Sequence, residues 1–446
     1  MNNETKFPFK TFFIILIAVA LIIIYMMTGN RILVFSSFFI ILIGMIFDKV
    51  QNKICYLLFF VSWVYVFKYD LTKQSLYSFL VIAFIIICLF IKKNIFDLEL
   101  SLSFIILTIY VFIISFISSD FQIMANLNFI CNNCIILVFA SLSKKISKNN
   151  YKNYFIFYAM GVGSAALLGY IGQNFIQINN YLISMRSVNT VIVDGGLITR
   201  ISGLDIDPNY YALQILMAIS VLMVIKPKRK LKTLKNTFIL VLVVFGFLSL
   251  SKMYLISIII IIIFYMLIYF KKSIFKGIKY ISFLSISISV ALMLNYNYFY
   301  DIYFVRFVGG NVDLSTVTTG RSSIWQNYIN EIFSNIKTLF LGQGISNFLN
   351  STAAHNVYLS TWYKIGLLGI VIYMLYIFKC NKSIANKTKH ETKIKFIDVR
   401  LLPIYIILFA NFVLDTSVFS FFPIHVLLAI LAINYPDECR NQVNSK

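Results

Sequence analysis

Apolar residues occur along this chain in runs of about 15–23 positions, and Lys, Asp, Asn or Gly residues separate one run from the next. A helix of that length is sufficient to cross a hydrocarbon layer about 30 Å thick. The pattern therefore predicts about fourteen transmembrane helices, at residues 11–27, 32–47, 54–67, 76–91, 100–118, 121–142, 154–172, 209–225, 235–250, 253–270, 280–296, 356–378, 401–413 and 419–434.

Most connections between these runs are very short, but two predicted outer segments, at about 173–208 and 297–355, are long. Loops of this length in a compact membrane protein usually carry function. The chain shows no internal repeat and no low-complexity linker. We expect a single integral-membrane domain over residues 1–446, of the all-α polytopic class, with two long exoplasmic loops.

The second loop contains a predicted helix. Residues 319–323 are typical of a turn followed by a helix N-cap. The apolar positions that follow repeat at helical spacing: Ile324, Trp325, Tyr328, Ile329, Ile332 and Phe333. We expect this helix to lie at the membrane interface with Trp325 and Tyr328 at headgroup depth. A turn at 342–344 follows, and Ser351 or Thr352 is expected to cap the next transmembrane helix.

Composition and charge support the membrane assignment. The 446 residues are 60% hydrophobic and 13% charged, too few polar residues to cover such a core in a soluble protein. The net charge of +22 follows topology, because with a cytoplasmic N-terminus 29 of the 39 Lys and Arg residues fall in inner segments. This distribution argues against nucleic-acid binding and predicts cytoplasmic N- and C-termini. We expect no cleavable signal, because the first apolar run has no small-residue cleavage site and leads straight into a second span.

The six cysteines are scattered, and only Cys131 and Cys134 are close in sequence. Both fall within one predicted helix, where we interpret them as small packing residues and keep a redox or metal pair as the alternative. No disulfide framework is indicated. No Asp-rich metal motif is evident either, since Asp207 of the 205/207 pair is expected to cap a helix that starts with Pro208.

Three arginines of the outer segments, Arg200, Arg306 and Arg321, are candidates for binding an anion. Arginine presents a fixed fork of donors that suits a diphosphate, and helix N-termini add N–H groups and partial positive charge. We expect Arg200 and Arg321 beside two such N-termini. Lys252 could assist in binding the anion or could merely anchor its hairpin. Each arginine could instead reach out to lipid phosphates.

His355 lies where the second loop meets a predicted helix, and a helix start favours the neutral imidazole that a general base requires. An ordinary interfacial histidine is the alternative. His390 and His425 are interpreted as solvated and structural. Lys364 is the single basic residue inside a predicted span, which makes it a functional candidate, and packing against Asp415 is the alternative.

The chain resembles the superfamily of O-antigen polymerases (Wzy) and O-antigen ligases. The resemblance is carried by an ordered set of short motifs in the two outer loops: Arg200-Ile201-Ser202-Gly203 with Asp207-Pro208-Asn209, Thr319-Gly320-Arg321 with Ile324-Trp325, and Gly342-Gln343-Gly344 followed by His355-Asn356-Val357-Tyr358-Leu359 and Gly366-Leu367-Leu368-Gly369. The chain departs from the family at Lys364, where members often have Glu, and at Lys252, where they often have Arg.

The resemblance implies a GT-C-like glycosyltransferase of the bacterial cytoplasmic membrane that needs neither metal nor cofactor. His355 would be its base, and Arg200 and Arg321, with Arg306 and Lys252 assisting, would bind the donor diphosphate. Its partners would be an undecaprenyl-diphosphate-linked glycan, membrane lipid and a possible chain-length regulator. We favour the polymerase of O-antigen or capsule. A ligase with the same site and a lipid-linked oligosaccharide flippase stay open, and a peptidoglycan glycosyltransferase would require an outer-loop Asp motif that is not evident.

Overall fold

The computed structural model describes residues 7–68, 75–91, 97–118, 121–143, 146–147, 150–185, 188–193, 196–227, 229–270, 275, 278, 321–385, 397–414 and 422–436. These residues form sixteen α-helices and one β-hairpin. The helices are α1 (Phe9–Thr28), α2 (Arg31–Phe47), α3 (Val50–Phe60), α4 (Leu76–Ile91), α5 (Leu98–Ile117), α6 (Ile123–Leu142), α7 (Tyr151–Ile171), α8 (Ile176–Ser184), α9 (Pro208–Val224), α10 (Arg229–Phe247), α11 (Lys252–Phe270), α12 (Arg321–Ser334), α13 (Ile336–Phe340), α14 (Val357–Ala385), α15 (Leu402–Ala410) and α16 (Phe422–Ile433).

Each predicted span overlaps one of these helices except 280–296, which lies outside the described residues. α3 ends at Phe60 rather than 67. At two other helices the bounds differ because charge ends the apolar run but not the helix. α10 begins at Arg229 rather than 235, and α14 continues to Ala385 rather than 378. Lys and Arg are good helix formers, so the helix extends past the point where the sequence becomes too polar for the hydrocarbon layer.

The helices confirm an all-α membrane protein in its coarse features. Five of the described helices are long and apolar enough to cross a membrane: Phe9–Thr28, Leu98–Ile117, Ile123–Leu142, Tyr151–Asn174 and Val357–Ala385. Shorter apolar helices accompany them. Large apolar side chains on their outer faces are exposed, such as Phe13 on α1 and Phe116 on α5. An apolar surface of this kind suits contact with lipid tails.

Glycines allow several elements to approach closely. A Cβ at Gly161 of α7 would lie 2.0 Å from the carbonyl oxygen of Phe59, so α3 and α7 touch backbone to backbone there. A Cβ at Gly169 would lie 2.4 Å from the Cα of Gly203, so the segment before α9 rests directly on α7. Small residues at helix contacts are typical of membrane bundles. The second contact fixes the segment that precedes the candidate site.

The segment predicted as the first outer loop, 173–208, contains regular secondary structure. It contains α8 and a hairpin of β1 (Val188–Val193) with β2 (Gly196–Ile201), paired antiparallel so that Asn189 faces Arg200. The N–H of Ile201 also donates to the carbonyl of Leu248 at 3.0 Å. The hairpin therefore joins the turn between α10 and α11 instead of projecting alone.

α14 is interrupted at Gly366, which has φ 62° and ψ 178°. Carbonyls before the interruption accept bonds from outside the helix. The N–H groups of Gln343 and Gly344 donate to the oxygens of Tyr363 (2.8 Å) and Lys364 (2.9 Å). The hydroxyl of Tyr110 on α5 donates to Ile365 at 2.8 Å. Broken helices persist within membranes only where other protein groups satisfy the backbone in this way.

Candidate functional site

Arg200 and Lys252 both lie at the turn between α10 and α11. Arg200 is half-buried at the end of β2, and its Nε donates to the carbonyl of Ser249 at 3.0 Å. Lys252 is the first residue of α11. Next to it, Ser251 Oγ donates to Asn209 Oδ1 at 2.7 Å, which ties this turn to the first turn of α9. This turn therefore joins Arg200, Lys252 and the first turns of α9 and α11.

Asp207 caps α9, which confirms the prediction for Asp207-Pro208. Its Oδ1 accepts the N–H of Asn209 at 2.6 Å, and Pro208 occupies the first turn. A capping carboxylate satisfies one of the free N–H groups at a helix start. Asp207 therefore has a structural role at the start of α9.

Asp205 is a residue of this group that sequence reasoning did not single out. It is 5% exposed, and Gln214 Nε2 donates to its Oδ2 at 2.9 Å. The N–H of Asp207 donates to its Oδ1 at 3.3 Å. Burial raises the pKa of the Asp205 carboxyl to about 7, and the nearby Asp207 charge adds to the rise. The polar Gln214 within a predicted apolar span is the signal that could have indicated a buried partner.

Arg321 belongs to a second group, built on the residues that follow α15. Arg321 is the first residue of α12, and its guanidinium donates to the carbonyl of Val413 at 2.6 Å. The carbonyl of Asn411, two residues earlier, accepts the N–H of Val357 at 2.8 Å. One short segment, 411–413, thus holds the start of α12 and the start of α14 together.

His355 lies two residues before α14, half-buried, with φ 47°. It precedes the helix rather than opening it. Asn356 caps α14, since its Oδ1 accepts the N–H of Leu359 at 3.1 Å. The expectation that Ser351 or Thr352 would be the cap is therefore wrong. A cap must directly adjoin the first turn, and residues 349–355 instead form a separate 3₁₀ turn and bend.

The predicted helix in the second loop is confirmed as α12, with a different role for its aromatic residues. Trp325 Nε1 donates to the carbonyl of Ala354 at 3.0 Å, and the Tyr328 hydroxyl donates to that of Thr352 at 2.7 Å. Tyr328 is 2% exposed, so its ring contacts protein rather than lipid headgroups. Ser322 and Ser323 lie in the first turn of α12, which begins at Arg321. α12 therefore holds the segment that leads to His355.

Lys364 is buried in α14, a helix long and apolar enough to cross a membrane. It is 5% exposed, just before the break in α14, and its Nζ lies 4.0 Å from the ring centroid of Phe348. A ring face attracts a cation, so this contact offsets part of the cost of removing the ammonium from water. Asp415, the alternative partner, lies outside the described residues.

Of the remaining candidates, two lie outside the described residues, and the others are placed on α6 and α16. Arg306 and His390 lie outside the described residues. His425 is buried in α16 against the ring of Tyr158, with centroids 6.2 Å apart. Cys131 and Cys134 are free thiols on α6. Among the described residues, no three His, Cys, Asp or Glu side chains converge on a point where a metal ion could bind.

The two groups belong to one cluster of helices, because α15 packs against both α9 and α11. Together they supply arginine forks, a lysine, helix N-termini and a histidine, a set suited to an anionic substrate that exchanges a proton. Comparison with protein-family models, with curated proteins and with solved structures finds no match to this chain. The functional interpretation therefore rests on these residues and on the resemblance in their motifs.

Proposed function

We propose that the chain is a membrane glycosyltransferase that polymerises undecaprenyl-diphosphate-linked oligosaccharide repeat units into a surface polysaccharide. The observation that carries this proposal is the joint anchoring of Arg321 and the His355 segment. Arg321 donates to Val413, and Val357, two residues after His355, donates to Asn411. A diphosphate-binding fork and a candidate base on one short segment are the two groups that such a transfer requires.

In the proposed reaction His355 accepts the proton of an acceptor sugar hydroxyl as its oxygen attacks the anomeric carbon of the donor. A carbon–oxygen bond forms there, and the bond from that carbon to the diphosphate breaks. Arg321 stabilises the negative charge that collects on the departing undecaprenyl diphosphate. Preorganised cationic groups at such a position contribute about 3–4 kcal/mol each. Arg200 and Lys252 would act on the same anion from the turn between α10 and α11.

The proposal includes a location. We place the chain in a bacterial cytoplasmic membrane, with about fourteen spans in a GT-C-like arrangement and both termini inside. Arg200, Arg321 and His355 would then face the exoplasm. The donor would enter laterally, because its lipid tail stays in the bilayer. The inner excess of Lys and Arg supports this orientation.

The test of the base is the replacement of His355 in the native host by Asn and, separately, by Gly. Both residues adopt a positive φ more readily than Ala, so the backbone at φ 47° is preserved while the imidazole is lost. We expect polymer formation to fall by about 100-fold or more, the usual contribution of a general base. Arg321→Lys, which keeps the charge and loses the fork, should give a smaller loss.

The measurement is a ladder gel of the surface polysaccharide, with the level of the protein in the membrane determined in parallel. A collapse of the ladder to one repeat unit at a normal protein level supports the polymerase. Chains of normal length that stay on the lipid carrier would identify a ligase instead. Repeat units that accumulate on the cytoplasmic side would identify a flippase. A normal ladder with both His355 variants contradicts the assigned base.

A further inference from the structure

A shallow surface depression lies between α12 and the 3₁₀ turn Leu349–Ser351. Six residues line it: Ile324, Asn327, Tyr328, Leu349, Asn350 and Thr352. Tyr328 is buried below it, where its hydroxyl accepts the N–H of Leu349 at 3.1 Å and donates to the carbonyl of Thr352 at 2.7 Å. Asn327, Asn350 and Thr352 are exposed. The depression therefore has a fixed floor and an accessible polar rim.

The backbone beside the depression is strained. Asn350, Ser351 and His355 have φ of 49°, 58° and 47°, the left-handed region. Asn and His adopt this region more often than most residues, whereas for Ser it costs about 1–2 kcal/mol. The bonds from Trp325 to Ala354 and from Tyr328 to Thr352 hold the segment in this shape. Strain that the surrounding contacts maintain is concentrated at sites that bind ligands.

The lining chemistry selects a neutral, hydroxyl-rich ligand. All six lining residues are uncharged, so the depression does not suit the diphosphate. The side-chain amides of Asn327 and Asn350 make no hydrogen bond to another side chain in the described part of the chain, and each can both donate and accept. Vicinal hydroxyls of a sugar need such paired donors and acceptors. Ile324 and Leu349 offer aliphatic contact to the apolar face of a pyranose ring.

The position of the depression suits one of the two substrates of the transfer, the acceptor. Asn327 follows Arg321 by six residues on α12, which is about 9 Å along the helix axis. Thr352 precedes His355 by three residues. A sugar ring held here would contact the segment that leads to His355, about 9 Å along α12 from the diphosphate fork. That is the place of the acceptor rather than of the donor's leaving group.

We infer that this depression binds an uncharged sugar ring of the acceptor glycan and directs its hydroxyl towards His355. The inference rests on the proposed function, to which it adds the acceptor subsite. Asn327 and Asn350 would position the ring through hydrogen bonds, and Ile324 and Leu349 would pack against it.

A binding measurement with purified full-length protein in lipid nanodiscs tests the inference. The probe is the soluble repeat-unit glycan released by mild acid from the lipid fraction of host cells that lack the chain. The variants are Asn327→Ala and Asn350→Gly, the latter retaining the left-handed backbone. Asn330→Ala is the matched control, an exposed residue of α12 that bonds only to Gln326 among the described residues and lies outside the depression. Binding is followed by tryptophan fluorescence and by calorimetry.

We expect each depression variant to raise the dissociation constant about 5–10-fold, the loss of one net hydrogen bond, and the control to bind like the wild type. Cells that carry the depression variants should make shorter ladders. If both depression variants bind the glycan as tightly as the wild type does, and the wild type polymerises, the acceptor subsite is overturned and the proposed function is not. Absence of glycan binding by the wild type, with a normal ladder in cells that lack the chain, would overturn the proposed function as well.

Discussion

At the residue scale, the positions predicted correctly are those whose roles depend on near neighbours in the chain. Asp207 caps α9 and Arg321 opens α12, and local sequence determines both features. His355 lies close to its predicted place, but its segment is held by contacts with α12 and with residue 411, which are distant in the sequence. The burial of Asp205 depends on Gln214, nine residues further on, and on α9 packing, which no local pattern encodes.

Asp205 leads to a prediction about pH. Burial raises its pKa from 3.8 to about 7, so between these values the folded protein holds a proton that the unfolded chain releases. The contribution of Asp205 to stability is therefore full below about pH 4 and is lost as the pH rises through 7. A tenfold change in the acid dissociation constant corresponds to about 1.4 kcal/mol, so the total loss of stability is on the order of 1–4 kcal/mol.

Asp205→Asn removes this titration while it keeps the shape of the side chain. We expect the melting temperature of the detergent-solubilised variant, relative to that of the wild type, to be higher at pH 8 than at pH 5. The Gln214 amide can rotate to accept from the new NH₂ group, so the buried contact is retained. Melting temperatures that fall in parallel for both proteins between these pH values would show that Asp205 does not titrate as inferred.

At the element scale, continuous apolar runs predict where most helices lie but not how they are interrupted. The β1–β2 hairpin was not predicted, although Asp194-Gly195 separates its strands and this dipeptide favours two-residue hairpins. The break in α14 has no comparable local signal. Gly366 follows an apolar stretch that would continue as a helix, and the reason for the break lies at Phe340 and Leu341, whose backbone occupies the space beside it.

Gly366→Ala tests that explanation. A Cβ at Gly366 would lie 2.3 Å from the carbonyl oxygen of Phe340, and φ is 62°. Gly29→Ala is the matched control, because Gly29 has a similar φ of 68° with nothing within 4 Å of its Cβ position. In both variants the left-handed backbone costs about 1–2 kcal/mol. Only Gly366→Ala adds the cost of displacing the 340–344 segment, typically about 1–3 kcal/mol for overpacking.

We therefore expect Gly366→Ala to lower the melting temperature clearly more than Gly29→Ala. It should also shorten the polysaccharide ladder, since residues 343 and 344 bond directly to α14 and lead on to the His355 segment. Equal melting temperatures for the two variants would mean that the 340–344 segment moves aside without cost. In that case the break in α14 would not fix the position of the site.

At the scale of the whole molecule, charge predicts orientation while contacts determine how the site is assembled. The uneven distribution of Lys and Arg among the predicted connections is a property of the sequence, and so is the class of the fold. The meeting of α12, α14 and residues 411–413 is not, because it joins positions about ninety residues apart. The residue types of the site can therefore be recognised in the sequence, but which of them lie together cannot.

Orientation gives the final prediction. After the break at Gly366, α14 continues over residues 367–385, about 28 Å at 1.5 Å per residue, which is close to the thickness of a hydrocarbon layer. We therefore expect the end of α14 on the opposite side of the membrane from α12. Ser334 on α12 and Lys382 near the end of α14 are both exposed. We expect Ser334→Cys to react with a membrane-impermeant maleimide in intact cells, and Lys382→Cys to react only after permeabilisation, with the wild type as the background control. The reverse pattern would place His355 and Arg321 in the cytoplasm, where lipid-linked repeat units are made rather than joined, and it would contradict the polymerase directly.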